Sequence, residues 1–161
     1  APAGPPLTGT VANFVAKPVP APLPAVQFQD ADGASHSLAE FQGKYLLVNF
    51  WATWCAPCRT EMPSLDRLQQ QLGGPDFQVV LISQDRAGYA KAAGFLSEIG
   101  VTHLASYADP TTKAGRTLGV FAMPVTLLLN RQGDEIGRLT GPAEWDSPEA
   151  KALIGYYMAQ K

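Results

Sequence analysis

The sequence predicts one α/β domain, and three observations carry that expectation. A nearly unbroken apolar run, Tyr45-Leu46-Leu47-Val48-Asn49-Phe50-Trp51, has the composition of a strand covered on both faces. It leads through Trp54-Cys55-Ala56-Pro57-Cys58 straight into a helical pattern, with Met62, Leu65, Leu68 and Leu72 on one face. Beyond it, strand and helix patterns alternate to the C-terminus. At 161 residues and 46% hydrophobic content the chain can enclose one full-sized core.

The elements follow in chain order. Residues 1–24 contain seven of the fourteen prolines and a single charge, Lys17, a composition that predicts an extended linker or tether ahead of a domain over 25–161. Val26-Gln27-Phe28-Gln29 alternates apolar and polar and meets Asp30-Ala31-Asp32-Gly33, which predicts a short hairpin. Ser37 with Glu40 forms a capping-box pattern that opens a brief helix through Phe41. Pro63 lacks a backbone donor and is expected to kink the helix after the cysteines. Phe77 to Ser83 reads as a buried strand, and Ala92, Phe95, Leu96 and Ile99 mark an amphipathic helix. A strand near His103 to Tyr107 and a short helix from Pro110 to Leu118 come next. Val125 to Asn130 and Glu135 to Thr140 are strands joined by the turn Asn130-Arg131-Gln132-Gly133-Asp134. Ser147-Pro148 supplies a cap and a first-turn proline for the last helix, whose core face is Ala150, Leu153, Ile154, Tyr157 and Met158.

Cys55 and Cys58 are the only cysteines. At a strand-to-helix junction one sulfur lies at a helix N-terminus, where free backbone N–H groups favour a thiolate, and the two-residue spacing lets the second sulfur reach the first. This predicts a pair that interconverts between dithiol and disulfide. A zinc half-site and two inert core cysteines are the competing interpretations, but His36 and His103 are distant and carry no ligand pattern, and two chance cysteines would rarely fall at this junction, so no metal and no cofactor are expected. A formal net charge of −2 gives no electrostatic case for nucleic acid. No segment has the apolar length to span a bilayer. The chain starts at Ala1 without a methionine, so removal of an N-terminal signal or anchor remains open. The absence of cysteines outside the motif suits an oxidising compartment.

From Val26 onward the chain resembles the thioredoxin superfamily and, within it, the membrane-tethered periplasmic TlpA/ResA-like proteins, with the TlpA type nearest. The resemblance is carried by the segment Asn49-Phe50-Trp51-Ala52-Thr53-Trp54-Cys55-Ala56-Pro57-Cys58-Arg59-Thr60-Glu61-Met62-Pro63, by Met123-Pro124-Val125-Thr126, and by Gly141-Pro142-Ala143-Glu144-Trp145. It implies a thioredoxin-like fold, a central mixed β-sheet flanked by helices with an added N-terminal β-hairpin. It also implies a cis peptide before Pro124 and a periplasmic location, tethered by an N-terminal membrane anchor that this chain does not include. The implied activity is that of a thiol–disulfide oxidoreductase acting as a reductase of specific client disulfides. Its partners would be disulfide-containing client proteins, such as copper-site assembly proteins of cytochrome oxidase or apocytochrome c, and an upstream membrane reductant. A monomer is expected.

Roles follow residue by residue. Cys55 at the helix start is expected to attack and Cys58 to resolve. Resolution needs a base near a shielded thiol. Thioredoxin carries an acid six residues before its first cysteine, whereas this chain has Asn49, expected to be a hydrogen-bonded core residue. Glu61 lies three residues after Cys58 on the same helical face and resembles the glutamate that ResA-type proteins hold below their disulfide; a solvated first-turn glutamate is the alternative. Trp54, Pro57, Ala122, Met123 and Pro124 are expected to form the substrate-binding surface, with free backbone groups beside the proline pairing an extended target segment. Trp51 is expected in the core, Trp145 either in the core or on a partner surface, and both histidines at ordinary loop or strand-end positions. Two other functions compete. The two thiolates with Met123 could hold Cu(I) in a copper-binding assembly factor. A thiol peroxidase would also suit the N-terminal hairpin, although Thr53 stands two residues before Cys55 rather than three.

Overall fold

The computed structural model describes residues 4–160. Eight strands form one sheet: β1 (Val15–Ala21), β2 (Gln27–Gln29), β3 (Ser35–Ser37), β4 (Tyr45–Trp51), β5 (Phe77–Ser83), β6 (Ala105–Ala108), β7 (Val125–Leu129) and β8 (Glu135–Thr140). The helices are α1 (Ala56–Leu72), α2 (Tyr89–Glu98), α3 (Lys113–Thr117) and α4 (Pro148–Met158). Spatial order is β1-β8-β7-β4-β5-β6-β2-β3. β4, β5 and β6 run parallel, and every other pairing is antiparallel, so the sheet is mixed.

Every residue of β4 is buried because helices cover both faces. Strand alternation sends Tyr45, Leu47 and Trp51 into the core shared with α1, α2 and α4. Leu46, Val48 and Phe50 enter a second core with Ala114 and Leu118 of the α3 region and with Val26 and Phe28 of the N-terminal hairpin. From β4 the chain passes by α1 to β5 on one side, while β7 pairs with its other edge. The end of β4 is thus the point where the connections part, the usual place for a site in an open α/β sheet.

The hairpin is pinned by Asp30, whose carboxylate accepts the N–H groups of Asp32 and Ala34, and by His36, whose ring bonds Asp30 at 2.6 Å and Glu40 at 2.9 Å. Ser37 N–H donates to the Glu40 carboxylate at 2.6 Å, as the capping pattern predicts, although the element is a single 3₁₀ turn, Leu38–Phe41. Helix α1 runs as one element through Pro63. His103 lies at a loop position and its backbone N–H donates to Asp66 at 2.8 Å.

The proline-rich N-terminus is not the linker that its composition predicts over 1–24: residues 9–21 belong to the domain, while residues 1–3 of that stretch lie outside the described residues. Val11 and Phe14 are buried in the larger core, and β1 closes the sheet by pairing Val15 with Arg138, Ala16 with Gly137 and Ala21 with Glu135. Pro18 and Pro20 are tolerated because β1 is an edge strand whose ladder is interrupted between Ala16 and Ala21. Gly137 makes the docking possible. A Cβ there would press on the Val15 carbonyl oxygen and stand 2.7 Å from the Phe14 ring. Gly137→Ala is therefore expected to displace β1 at a cost of about 1–3 kcal/mol. Hydrogen exchange should show residues 14–21 losing protection; an unchanged exchange pattern would contradict this packing.

Candidate active site

β4 delivers the chain to a loop that Asp85, just past β5, holds from beneath. Its carboxylate accepts Thr53 N–H at 3.0 Å, Thr53 hydroxyl at 2.6 Å and Ser83 hydroxyl at 2.6 Å. Gln84 N–H donates to the Trp51 carbonyl at 2.8 Å and ties the same loop to β5. Asp85 is buried, so these bonds stand in for the hydration that its charge would otherwise need. No sequence signal joined Asp85 to Thr53 across 32 residues.

Cys55 is the N-cap residue of α1, and its sulfur accepts the N–H of Cys58 at 3.4 Å. Pro57 sits in the first helical turn, where its missing N–H is no loss, and is exposed. Cys55 and Cys58 are joined as a disulfide with Cα atoms 5.3 Å apart. Cys58 is fully buried, whereas Cys55 keeps 7% of its surface. The positive end of the α1 dipole and the Cys58 N–H both favour a thiolate at Cys55 once the bond is reduced. Trp54, 70% exposed, stands in front of it, and Arg59 lies over the Phe95 ring at 4.9 Å. Opposite, the Met123-Pro124 peptide is cis, with Pro124 buried, Met123 half-buried and Ala122 exposed. Trp54, Cys55, Ala122 and Met123 together line a groove of about 1000 Å³.

Glu61 lies one turn beyond Cys58 on α1 and is 2% exposed. Asn49 Nδ2 donates to its Oε1 at 2.7 Å, while Ala143 N–H and Trp145 Nε1–H each donate to its Oε2 at 3.1 Å. Burial is the dominant influence and pushes its pKa up to about 7, against the three donors, which favour the charged form. Glu61 is thus a buried, bonded carboxyl and not a solvated one. Asn49 Nδ2 also donates to Thr126 Oγ1 at 3.0 Å, while its buried Oδ1 has no partner among the described residues. Trp145 is fully buried and its backbone N–H donates to Ser64 Oγ, so the core alternative for this residue holds. Its contact with Glu61 spans 84 positions and left no trace in the local pattern.

Among the described residues, no three His, Cys, Asp or Glu side chains converge to hold a metal ion, and no helix is long and apolar enough to cross a membrane. The arrangement can exchange a disulfide at Cys55, which keeps a little surface, beside a buried carboxyl able to exchange a proton near neutral pH.

Comparison with known proteins agrees with this geometry. The chain is 38% identical over 122 residues to the thiol:disulfide interchange protein DsbE of Pseudomonas aeruginosa, covering 74% of this chain and 63% of that protein. It is 38% identical over 104 residues to the thiol:disulfide interchange protein HelX of Rhodobacter capsulatus, covering 65% and 56%. The chain thus spans a little over half the length of these curated relatives. A crystal structure of a putative thiol:disulfide interchange protein DsbE from Chlorobium tepidum superposes with a TM-score of 0.77 at 25% identity, covering 87% of this chain and 97% of that one. The thioredoxin-like α/β fold is shared across these proteins, and because the Redoxin family matches residues 18–154, nearly the whole of the described domain, the chain belongs to the Redoxin family.

Proposed function

We propose that this protein is a thiol–disulfide oxidoreductase that reduces the disulfides of client proteins in the periplasm, held at the membrane by an N-terminal anchor. The observation that carries the reading is the asymmetry of the pair: Cys55 caps the helix start and keeps 7% of its surface, while Cys58 is fully buried one turn above a proton-exchanging carboxyl. The interchange and oxidoreductase names of its relatives support it.

The cycle starts from the reduced pair. The Cys55 thiolate attacks one sulfur of a client disulfide, forming a Cys55–client bond and expelling the other client sulfur as a thiolate. Glu61, as its carboxylate, takes the proton of Cys58, and the Cys58 thiolate then attacks Cys55 Sγ. The mixed disulfide breaks, the first client sulfur leaves, and Cys55–Cys58 is the disulfide now present. Two electrons have passed to the client, whose two thiolates take up protons from solvent. A dithiol donor of the membrane must return two electrons to the pair, with Glu61 giving its proton back to Cys58. Trp54, Pro57, Ala122, Met123 and Pro124 form the surface against which the client segment lies during attack, with the backbone beside Pro124 open for strand-like pairing. Disulfides of copper-site assembly proteins of cytochrome oxidase, or of apocytochrome c, are the clients that this chemistry would serve.

Removal of the resolving thiol alone should stall the cycle after attack. Cys58→Ser is expected to accumulate as a covalent complex with its clients through Cys55, visible as slower bands on a non-reducing gel that vanish with reductant. Cys55→Ser should trap few, because the remaining sulfur is buried. More capture by Cys55→Ser than by Cys58→Ser would reverse the assignment of the two sulfurs.

A further inference from the structure

The groove beside Cys55 runs between the loop joining β5 to α2 and the loop joining α3 to β7. Its floor is apolar. Trp54 and Phe121 are 70% and 83% exposed, and Met123 and Val120 line the same groove. Two large exposed rings lining one groove beside a reactive sulfur form an apolar patch of the kind that marks a contact surface.

The walls are cationic. Arg86 and Lys91 line one side and Arg116 the other, all three are exposed, and none forms an ion pair among the described residues. Asp85 is the one acidic residue in the lining, and it is buried with its carboxylate taken up by Thr53 and Ser83. Three unneutralised cations therefore face the groove on a chain whose formal net charge is −2. Arg116 is also directed: its Nη2 donates to the Thr111 carbonyl at 3.2 Å, and the adjoining Thr112 takes φ 60, a left-handed conformation that a β-branched residue rarely adopts.

We infer that the groove selects clients whose reactive cysteine lies in an extended acidic segment, with a bulky apolar residue beside the cysteine for Trp54 and Phe121 and carboxylates on either side for Arg86, Lys91 and Arg116. The inference rests on the thiol–disulfide exchange reading and names its substrate class. Opposite charge raises the rate of encounter and fixes the direction of the segment, and a basic segment is turned away by the same three groups.

The test uses the reduced chain and three synthetic peptides, each with one cysteine in a mixed disulfide with neutral mercaptoethanol, a leucine beside it, and four flanking positions all Glu, all Gln or all Lys. Rates of peptide thiol release are divided by those given by dithiothreitol, which removes the peptides' own differences in reactivity. At low ionic strength the Glu peptide is expected to react at least about tenfold faster than the Lys peptide, a gap that closes as salt is raised. In Lys91→Glu/Arg116→Glu the order of the two peptides should reverse, a ratio that a general loss of activity would not produce. Equal rates for the Glu and Lys peptides, with the Gln peptide reacting, overturn the charge selection and leave the exchange reading in place. Failure of all three to react while dithiothreitol does overturns both.

Discussion

Glu61→Gln is expected to slow resolution of the mixed disulfide by about 100-fold or more while leaving the first attack nearly unchanged, because a positioned base is worth about 10²–10⁴ in rate and acts on Cys58, not on Cys55. The variant should fold. The glutamine carbonyl can accept Ala143 N–H and Trp145 Nε1–H as Oε2 does now, and its NH₂ can face Asn49 if that amide turns over to present Oδ1, the buried atom that has no partner at present. Stability gives a second, independent readout. The Glu61 pKa rises from 4.5 in the unfolded chain to about 7 in the folded one, so the folded state holds the extra proton across that interval. The contribution is fully present below pH 4.5 and is lost as pH rises through about 7, a fall of about 3 kcal/mol at about 1.4 kcal/mol per pH unit. Urea titrations of the oxidised protein at several pH values should show this fall in the parent and its absence in Glu61→Gln. A parent stability that stayed flat over that interval would mean that Glu61 is already charged in the folded protein, and single-turnover resolution at parental rate would remove it from the mechanism.

The motif, the paired strands β7 and β8 and the capped helix α4 were legible in the sequence because each is specified by residues close together in the chain: a buried strand run into Cys55, the turn Asn130 to Asp134, the serine and proline at 147 and 148. What supports the motif was not legible, because it is specified across the sheet. Asp85 meets Thr53 through the parallel pairing of β4 with β5, and Ala143 and Trp145 reach Glu61 only once β7 and β8 have placed the loop after Thr140 over α1. Composition misled at the N-terminus for a related reason. Prolines 18, 20, 22 and 24 report on the missing donors of an isolated segment, whereas Phe14, which with Val11 anchors that segment, gains its meaning from a glycine at 137 that admits it. The N-terminal strap even contacts the loop that carries the Glu61 donors: Thr10 Oγ1 accepts Glu144 N–H at 2.9 Å, between Ala143 and Trp145.

Trp145 should show the largest loss of stability of any single truncation near the site, and two substitutions separate its two contributions. Trp145→Ala removes a fully buried indole that packs between α1 and α4, and an unfilled volume of that size costs about 3–5 kcal/mol. Trp145→Phe keeps most of the packing and deletes only the N–H given to Glu61 Oε2, leaving Ala143 as the sole donor to that oxygen. A donor removed from the charged form raises the pKa, so in Trp145→Phe the pH at which Glu61 loses its proton moves above about 7. At neutral pH less of the carboxyl is then available as a base, and the pH profile of mixed-disulfide resolution should shift to higher pH with its plateau little changed. A structural role alone predicts the opposite pattern: a lower melting temperature with an unmoved profile. The profile of Trp145→Phe, recorded beside that of Glu61→Gln, therefore decides whether the indole tunes the carboxyl or only fills space beneath it.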